Sequence, residues 1–226
     1  MQRTAIVTGG TGGLGAAVTG RLLEDGWRVV VPWFAERELE RVEEHERLAL
    51  VQADLTDPDS AASVAEAAGA NLRALVNLVG GFAMGERLHE SPIDDFERLL
   101  RLNLRPTYLM SAAAIPAMLA AGTGSIVCVS ARPAVQPFAG AVGYITAKAA
   151  VLAFVDVLDA EYRTDGIRAN AIMPSVIDTP ANRESQPDAD HDRWVRPAEI
   201  ARVIAFLCSD DASVTSGAHI PVYGRA

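Results

Sequence analysis

Residues 4–15, TAIVTGGTGGLG, join a short apolar run to a glycine-rich loop, and apolar residues at helical spacing follow over residues 16–24. Glycine permits a positive φ and a close approach of the backbone to a ligand, and the N-terminus of a helix offers free N–H groups to a pyrophosphate. A glycine-rich loop alone is weak evidence, but this one lies between a strand and its helix, the context that identifies a dinucleotide-binding loop. The segment therefore predicts nucleotide binding at the start of an α/β fold.

The alternation of strands and helices continues along the rest of the chain, as is typical of βαβ units around a mostly parallel sheet. The expected strands cover residues 4–8, 28–33, 48–53, 72–78, 125–129, 168–173 and 219–223, and the expected helices cover residues 16–24, 36–46, 57–69, 94–121, 143–163 and 197–209. We expect an α/β protein with a Rossmann-type doubly wound parallel sheet of about seven strands flanked by helices. Residues 1–226 form a single domain in this interpretation, and the irregular segment at about 175–196 is a substrate lid.

Composition and charge exclude several classes of protein. Of the 226 residues, 50% are hydrophobic and 22% are charged, unlike a disordered or collagen-like chain. The net charge of -9 argues against a nucleic-acid or membrane partner. The two cysteines, Cys128 and Cys208, are too few for a disulfide framework and fit a reducing compartment. Since the first eight residues run into a strand and leave no room for a signal peptide, we expect a soluble cytoplasmic protein.

Only one of the 20 basic residues is a lysine, Lys148. In a chain that otherwise uses arginine, a retained lysine indicates a position where a guanidinium cannot replace a compact ammonium. Tyr144 lies four residues earlier in an expected helix, so the two side chains share a face. A nearby ammonium favours the phenolate and would bring the tyrosine pKa, ordinarily about 10, towards the range of general acid–base catalysis. The pair is the candidate catalytic group.

Several motifs together resemble those of the short-chain dehydrogenase/reductase family. TGGTGGLG at 8–15 is similar to the family's TGxxxGxG loop, and YITAK at 144–148 matches its YxxxK. NAIMPS at 170–175 resembles its NxxxPG with Ser in place of Gly, and NLVG at 77–80 resembles its NNAG at the first and last positions. The resemblance covers nearly the whole chain. It implies an NAD(P)(H)-dependent oxidoreductase that transfers a hydride to or from a small carbonyl or alcohol substrate.

The resemblance also implies roles for individual residues. Tyr144 would be the general acid/base, Lys148 would tune its pKa and hydrogen-bond the nicotinamide ribose, and Asn103 would hold a relay water through its main-chain carbonyl. Family members commonly form homodimers or homotetramers through the helices that carry Asn103 and Tyr144. The implied coenzyme-binding residues are Gly9, Thr11, Gly13, Leu14, Gly15, Trp33, Asp54, Leu55, Asn77, Gly80, Tyr144, Lys148, Pro174, Ile177 and Thr179.

The end of the second strand departs from the family pattern. An Asp there would accept hydrogen bonds from the ribose of NAD, and an Arg would hold the 2′-phosphate of NADP. Trp33 and Phe34 can do neither, and Arg37 is the only nearby candidate for binding a phosphate. The expected cofactor is NAD or NADP, with NAD favoured.

A serine at the end of the fifth strand would, by the same resemblance, donate a hydrogen bond to the substrate carbonyl oxygen. Ser130 lies 14 residues before Tyr144, whereas the family spacing is one residue shorter and reaches Ala131. The difference matters because adjacent strand residues face opposite sides. Either Ser130 is the catalytic donor and the loop carries an insertion, or Ala131 occupies the position and the donor is missing.

If Ala131 occupies that position, the C-terminal half resembles the dihydropteridine reductases, members of the same family. Gly80-Gly81-Phe82, the lid residues 178–183 and Trp194 share in this likeness. Reduction of a conjugated imine forms no alkoxide, so such an enzyme needs no serine.

An alternative from another class is a catalytically weak nucleotide-sensing module that kept the fold. The four histidines are dispersed and have no metal-ligand spacing, so no metal site is expected.

Overall fold

The computed structural model of the chain describes residues 2–225, with the side chain of Arg41 left out of the description. Seven strands form one sheet in the order β3-β2-β1-β4-β5-β6-β7, and every neighbouring pair is parallel. The strands are β1 (Thr4–Thr8), β2 (Arg28–Trp33), β3 (Leu48–Gln52), β4 (Leu72–Asn77), β5 (Gly124–Val129), β6 (Ile167–Pro174) and β7 (His219–Val222). The predicted Rossmann-type sheet is confirmed.

Helices cover both faces of the sheet. They are α1 (Gly13–Glu24), α2 (Pro58–Ala68), α3 (Ile93–Asn103), α4 (Arg105–Ala121), α5 (Val142–Tyr162), α6 (Pro180–Ser185) and α7 (Pro197–Cys208). One apolar core lies between the sheet and α2, α4 and α5, and the other lies between the sheet and α1 and α7. Successive strand side chains alternate between these cores, since Ile6 of β1 belongs to the first while Ala5 and Val7 belong to the second.

The expected single helix over residues 94–121 is two helices, α3 and α4, separated at Leu104. Leu104 has φ -113°, outside the usual α-helical range. Pro106 explains the break, because it has no N–H to donate to the carbonyl oxygen four residues earlier and its ring crowds that carbonyl. The break leaves Asn103 as the last residue of α3, at the edge of the sheet where the strands end.

Two other expectations differ from the structure. The charged helix expected over residues 36–46 is only a short 3₁₀ helix, Glu36–Arg41, because Glu43–Glu46 supply no apolar side chain that could pack on the sheet. The segment 175–196, expected to be irregular, contains α6 and a 3₁₀ turn at His191–Arg193. The hydroxyl of Thr179 caps α6 by accepting a hydrogen bond from the Asn182 N–H.

A bilayer crossing needs a helix that is both long and continuously apolar. Within residues 2–225, none of the helices meets both conditions.

Candidate active site

A cleft of about 690 Å³ opens at the carboxyl ends of the strands, where the strand order reverses between β1 and β4. Open α/β sheets bind their ligands at such a switch point. Nine of the fifteen residues predicted to bind the coenzyme line this cleft: Gly9, Thr11, Gly13, Leu14, Gly15, Trp33, Asp54, Leu55 and Gly80. The structure therefore brings the glycine loop together with the ends of β2, β3 and β4.

The glycine loop is built for close backbone approach. Gly9 has φ +66°, and a Cβ added to Gly15 would lie 1.9 Å from the Gly9 carbonyl oxygen. The N-cap of α1, Gly12, has no side chain to satisfy the first-turn N–H groups. Those free N–H groups at the positive end of the helix dipole fit the pyrophosphate of a dinucleotide.

The end of the cleft beside β2 carries a carboxylate, Glu38, that the sequence motifs do not indicate. Glu38 accepts hydrogen bonds from the Ala35 N–H (3.2 Å) and from the Thr11 hydroxyl (3.0 Å), and it lines the cleft together with Trp33 and Arg37. The spacing of Ala35 and Glu38 is that of a helix N-terminus whose third residue reaches back, which is the signal that could have located it. A carboxylate is therefore fixed five residues after the strand end rather than at it.

Asp54 lies on the same wall of the cleft. Its carboxylate accepts hydrogen bonds from the N–H (2.8 Å) and the hydroxyl (2.7 Å) of Thr56. These bonds favour the ionised form and lower the pKa of Asp54. The side chain is exposed and held in one orientation.

Tyr144 and Lys148 lie in the first turns of α5. The Lys148 ammonium donates a hydrogen bond to the Val129 carbonyl oxygen at 2.9 Å. Burial lowers the pKa of Lys148 to about 8 and raises the pKa of Tyr144 to about 12. The spacing of the pair predicts that the ammonium lowers the tyrosine pKa; in this structure burial raises it instead, so the phenol carries its proton at neutral pH.

Asn103 holds the loop that follows β4. Its side-chain NH₂ donates to the carbonyl oxygens of Gly81 and Leu99, both at 3.0 Å, and its Oδ1 accepts from the Gly81 N–H at 3.1 Å. A Cβ added to Gly80 would lie 2.5 Å from the Asn103 Oδ1 and 3.1 Å from the Lys148 Nζ. The absence of a side chain at Gly80 therefore leaves room for the Asn103 amide and the Lys148 ammonium, which both approach this glycine.

The remaining predicted coenzyme residues lie outside the lining of the cleft. Asn77 is buried and donates hydrogen bonds to the Ser111 hydroxyl on α4 (3.2 Å) and the Cys128 sulfur on β5 (3.6 Å). Its amide therefore lies in the interior and does not face the cleft. Pro174 ends β6, and Ile177 pairs with Val195 in a single bridge. Thr179 approaches the glycine loop, since a Cβ on Gly13 would lie 2.9 Å from the Thr179 methyl.

Ser130 and Ala131 differ in what they contact. The Ser130 hydroxyl donates a 2.6 Å hydrogen bond to the Lys148 carbonyl oxygen and is 2% exposed. A hydroxyl has one proton, so in this geometry Ser130 has none left to donate to a substrate. Ala131 follows in extended backbone, with φ -160° and ψ 154°. Its methyl therefore lies on the opposite side from the serine.

Phe82 contacts Tyr144 and was not among the predicted site residues. The two ring centroids are 5.0 Å apart and the rings are nearly perpendicular, at 86°. Phe82 is nevertheless 58% exposed. The contact joins residues that are 62 positions apart in the chain, and no local spacing in the sequence signals it.

No cluster of three or more His, Cys, Asp or Glu side chains in the described part of the chain has an arrangement suited to a metal ion.

The chain is similar over nearly its whole length to known dehydrogenases. The family model described as short chain dehydrogenase matches residues 3–190. The 2-(R)-hydroxypropyl-CoM dehydrogenase of Xanthobacter autotrophicus is 32% identical, with 99% of this chain and 98% of that protein aligned. The cis-4-hydroxycyclohexanecarboxylate dehydrogenase of Sinomonas cyclohexanicum is 34% identical, with 99% and 96% aligned. A solved short-chain type dehydrogenase/reductase from Mycobacterium ulcerans is 26% identical, with a TM-score of 0.93 and 100% and 90% of the two chains covered. None of these relatives is a dihydropteridine reductase, and the predicted likeness to that branch has no support from them.

Proposed function

Because the chain belongs to the short-chain dehydrogenase/reductase family and is an NAD(P)-dependent oxidoreductase of alcohol and carbonyl substrates, we propose that Tyr144 is its general acid/base. The observation that carries the proposal is the position of Lys148, whose ammonium lies next to Gly80 of the coenzyme cleft, with Tyr144 one turn earlier in α5. Both curated relatives described above are named as dehydrogenases of hydroxy compounds. Oxidation of a hydroxy compound requires a group that takes the proton from the alcohol oxygen, which is the role proposed for Tyr144.

The residues of the chain supply binding, orientation and proton transfer. When bound, the nicotinamide coenzyme supplies or accepts the hydride. The glycine loop and the start of α1 would hold its pyrophosphate, and Lys148 would face its ribose. Tyr144 donates its phenolic proton to the carbonyl oxygen in reduction and takes a proton from the hydroxyl in oxidation. The positive charge of the Lys148 ammonium near the phenol favours the phenolate that oxidation requires.

We propose that Ser130 positions Lys148 and that Ala131 stands where the substrate-facing donor would be. The hydrogen bond from the Ser130 hydroxyl to the Lys148 carbonyl supports this assignment. Of Ser130, Ala131 and Tyr144, only Tyr144 would then donate a hydrogen bond to the substrate carbonyl oxygen. An imine substrate, which develops no oxyanion, remains a second candidate on the strength of Ala131.

Ala131→Ser is expected to raise kcat/KM for ketones by about 10-fold, because oxyanion donors elsewhere are worth roughly 10²–10³-fold. Ser130→Ala is expected to lower stability by about 1 kcal/mol through loss of one hydrogen bond, with a change in kcat of only a few-fold. Steady-state kinetics and thermal unfolding of both variants test the assignment. A loss of about 10²-fold or more in kcat on Ser130→Ala, with Ala131→Ser inert, would return the donor role to Ser130.

The substrate class is tested by following the absorbance of NADH and NADPH with a panel of ketones and with a quinonoid dihydropterin. Ketone turnover is the expected result and supports the alcohol–carbonyl function. Rapid pterin reduction with slow ketone turnover would favour the imine reductase instead. A chain that binds coenzyme and turns over neither would be the nucleotide-sensing module.

We propose that NAD is the preferred coenzyme and that Glu38 is the cause. The acidic side chain lies at the β2 end of the cleft, where the adenosine ribose binds in this fold. A carboxylate accepts hydrogen bonds from ribose hydroxyls and repels a 2′-phosphate. Solved chains with the same fold carry NADP in one case and NAD+ in another, so the fold alone does not select the coenzyme.

Glu38→Gln is expected to raise kcat/KM for NADPH by about 10-fold, the size of one unscreened charge pair at a few ångströms in water. The kcat/KM for NADH should change little, since the amide keeps one acceptor oxygen. Glu36→Gln, on the same 3₁₀ helix but outside the lining of the cleft, is the matched control. An equal change in both variants would mean that general surface charge, not Glu38, sets the preference.

We also propose that the chain forms a homodimer or homotetramer through α4 and α5. A groove of about 790 Å³ lies between these helices, with Tyr108, Phe154 and Val157 among its lining residues. Tyr108 and Val157 are half exposed or more, as expected for an apolar face that a second copy covers. Light scattering on the purified chain would give the molar mass, and a monomer would contradict the proposal.

A further inference from the structure

Two loops meet above Tyr144. The first, residues 80–91, follows β4, and the second, residues 130–141, follows β5. The Gly85 N–H donates a 2.7 Å hydrogen bond to the Gly140 carbonyl oxygen. Gly140 has φ +84°, and a Cβ there would lie 2.6 Å from the Gly85 carbonyl oxygen, so this approach requires glycine. The two loops therefore form one connected rim, which we call the loop rim.

The loop rim exposes large apolar side chains. Phe82 is 58% exposed, Met84 61%, Val135 49% and Phe138 44%. Large apolar side chains exposed on two hydrogen-bonded loops are typical of a surface that binds an apolar group. Phe82 connects the loop rim to the chemistry, because its ring packs against the Tyr144 ring with a centroid distance of 5.0 Å.

A substrate that reaches the Tyr144 hydroxyl must place its carbon skeleton close to Phe82. A polyhydroxylated skeleton would lose its hydration there without gaining hydrogen-bond partners from Phe82 or Met84. A compact ring instead offers flat apolar surface to an aromatic side chain at little cost in conformational entropy.

We propose that Phe82 is the wall of the substrate site and selects ketones or secondary alcohols whose reacting carbon lies in or beside an apolar ring. The inference rests on the proposed alcohol–carbonyl function and names its substrate class. In the reduction direction, the carbonyl carbon gains a hydride from the reduced coenzyme and the oxygen gains the Tyr144 proton. Phe82 touches the skeleton and takes no part in the proton transfer.

The test compares kcat/KM for cyclohexanone and acetophenone with that for acetone and dihydroxyacetone, using NADH. The wild type should prefer the ring ketones. Phe82→Ala should lower kcat/KM for the ring ketones by about 10–100-fold, in line with the loss of several apolar contacts, while acetone changes by no more than a few-fold. Phe82→Leu should recover part of the loss, because leucine restores apolar bulk without the flat face. Val214→Ala, at a side chain 94% exposed and outside the loop rim, is the control.

Coenzyme affinity, measured by quenching of tryptophan fluorescence, separates a substrate role from general damage to the site. Unchanged NADH affinity in Phe82→Ala with a loss specific to ring ketones supports the inference. An equal loss for all four carbonyls, or wild-type preference for acetone or dihydroxyacetone, overturns it while leaving the alcohol–carbonyl function intact. A wild type that reduces none of the carbonyls overturns the proposed function together with the inference.

Discussion

Tyr144→Phe is expected to lower kcat by about 10²–10⁴-fold, the range that a positioned general acid or base contributes. The substitution removes only the phenolic hydroxyl. The ring that packs against Phe82 remains, so the fold and the coenzyme cleft should be unaffected. Burial holds the pKa of Tyr144 at about 12, so the wild-type phenol is protonated at neutral pH and its loss removes a proton donor directly.

The measurement is kcat for ketone reduction together with the dissociation constant for NADH. Tyr108→Phe is the matched control, since it removes the same hydroxyl from a tyrosine on α4, away from the cleft, and keeps the ring that lines the α4–α5 groove. Light scattering checks that the control has the same molar mass as the wild type. We expect normal turnover in the control and unchanged NADH affinity in both variants. Turnover in Tyr144→Phe within a few-fold of wild type would exclude Tyr144 as the acid/base.

The sheet was predictable because its signal is local. Each strand is a short apolar run next to a helical segment, and alternation of side chains along β1 between two cores follows from strand geometry alone. The break at Leu104 was not anticipated, although Pro106 is a local signal that was available two residues away. The glycine loop was assigned to the correct place because a strand and a helix bracket it.

The parts of the site that the sequence did not predict depend on contacts between distant segments. Phe82 reaches Tyr144 only because loops from two neighbouring strands converge. Glu38 enters the cleft because the chain turns back after β2 and the Thr11 hydroxyl binds the carboxylate. The direction of the Ser130 hydroxyl follows from the packing of β5 on α5, which a count of residues between Ser130 and Tyr144 does not contain.

Lys148→Met is expected to abolish activity and at the same time to stabilise the chain at neutral pH. The ammonium is 6% exposed, and burial lowers its pKa from 10.5 to about 8. A shift of this size corresponds to a cost of roughly 3 kcal/mol for keeping the group charged in the folded state. Methionine has a similar length and no charge. The loss of the hydrogen bond to the Val129 carbonyl offsets about 1 kcal/mol, so the net gain at pH 7 should be about 2 kcal/mol.

The gain should depend on pH in a defined direction. Between pH 8 and pH 10.5 the unfolded wild-type chain still binds the Lys148 proton while the folded chain has released it. Stability of the wild type therefore rises with pH across this window relative to the variant, which has no group to titrate there. Denaturant unfolding of both proteins at pH 7, 9 and 10.5 measures the difference. An advantage of the variant that is largest at pH 7 and is lost by pH 10.5 indicates that the buried ammonium is retained for chemistry at a cost in stability. A pH-independent difference would mean that Lys148 is not desolvated in the folded chain, and its proposed role beside Tyr144 would lose its physical basis.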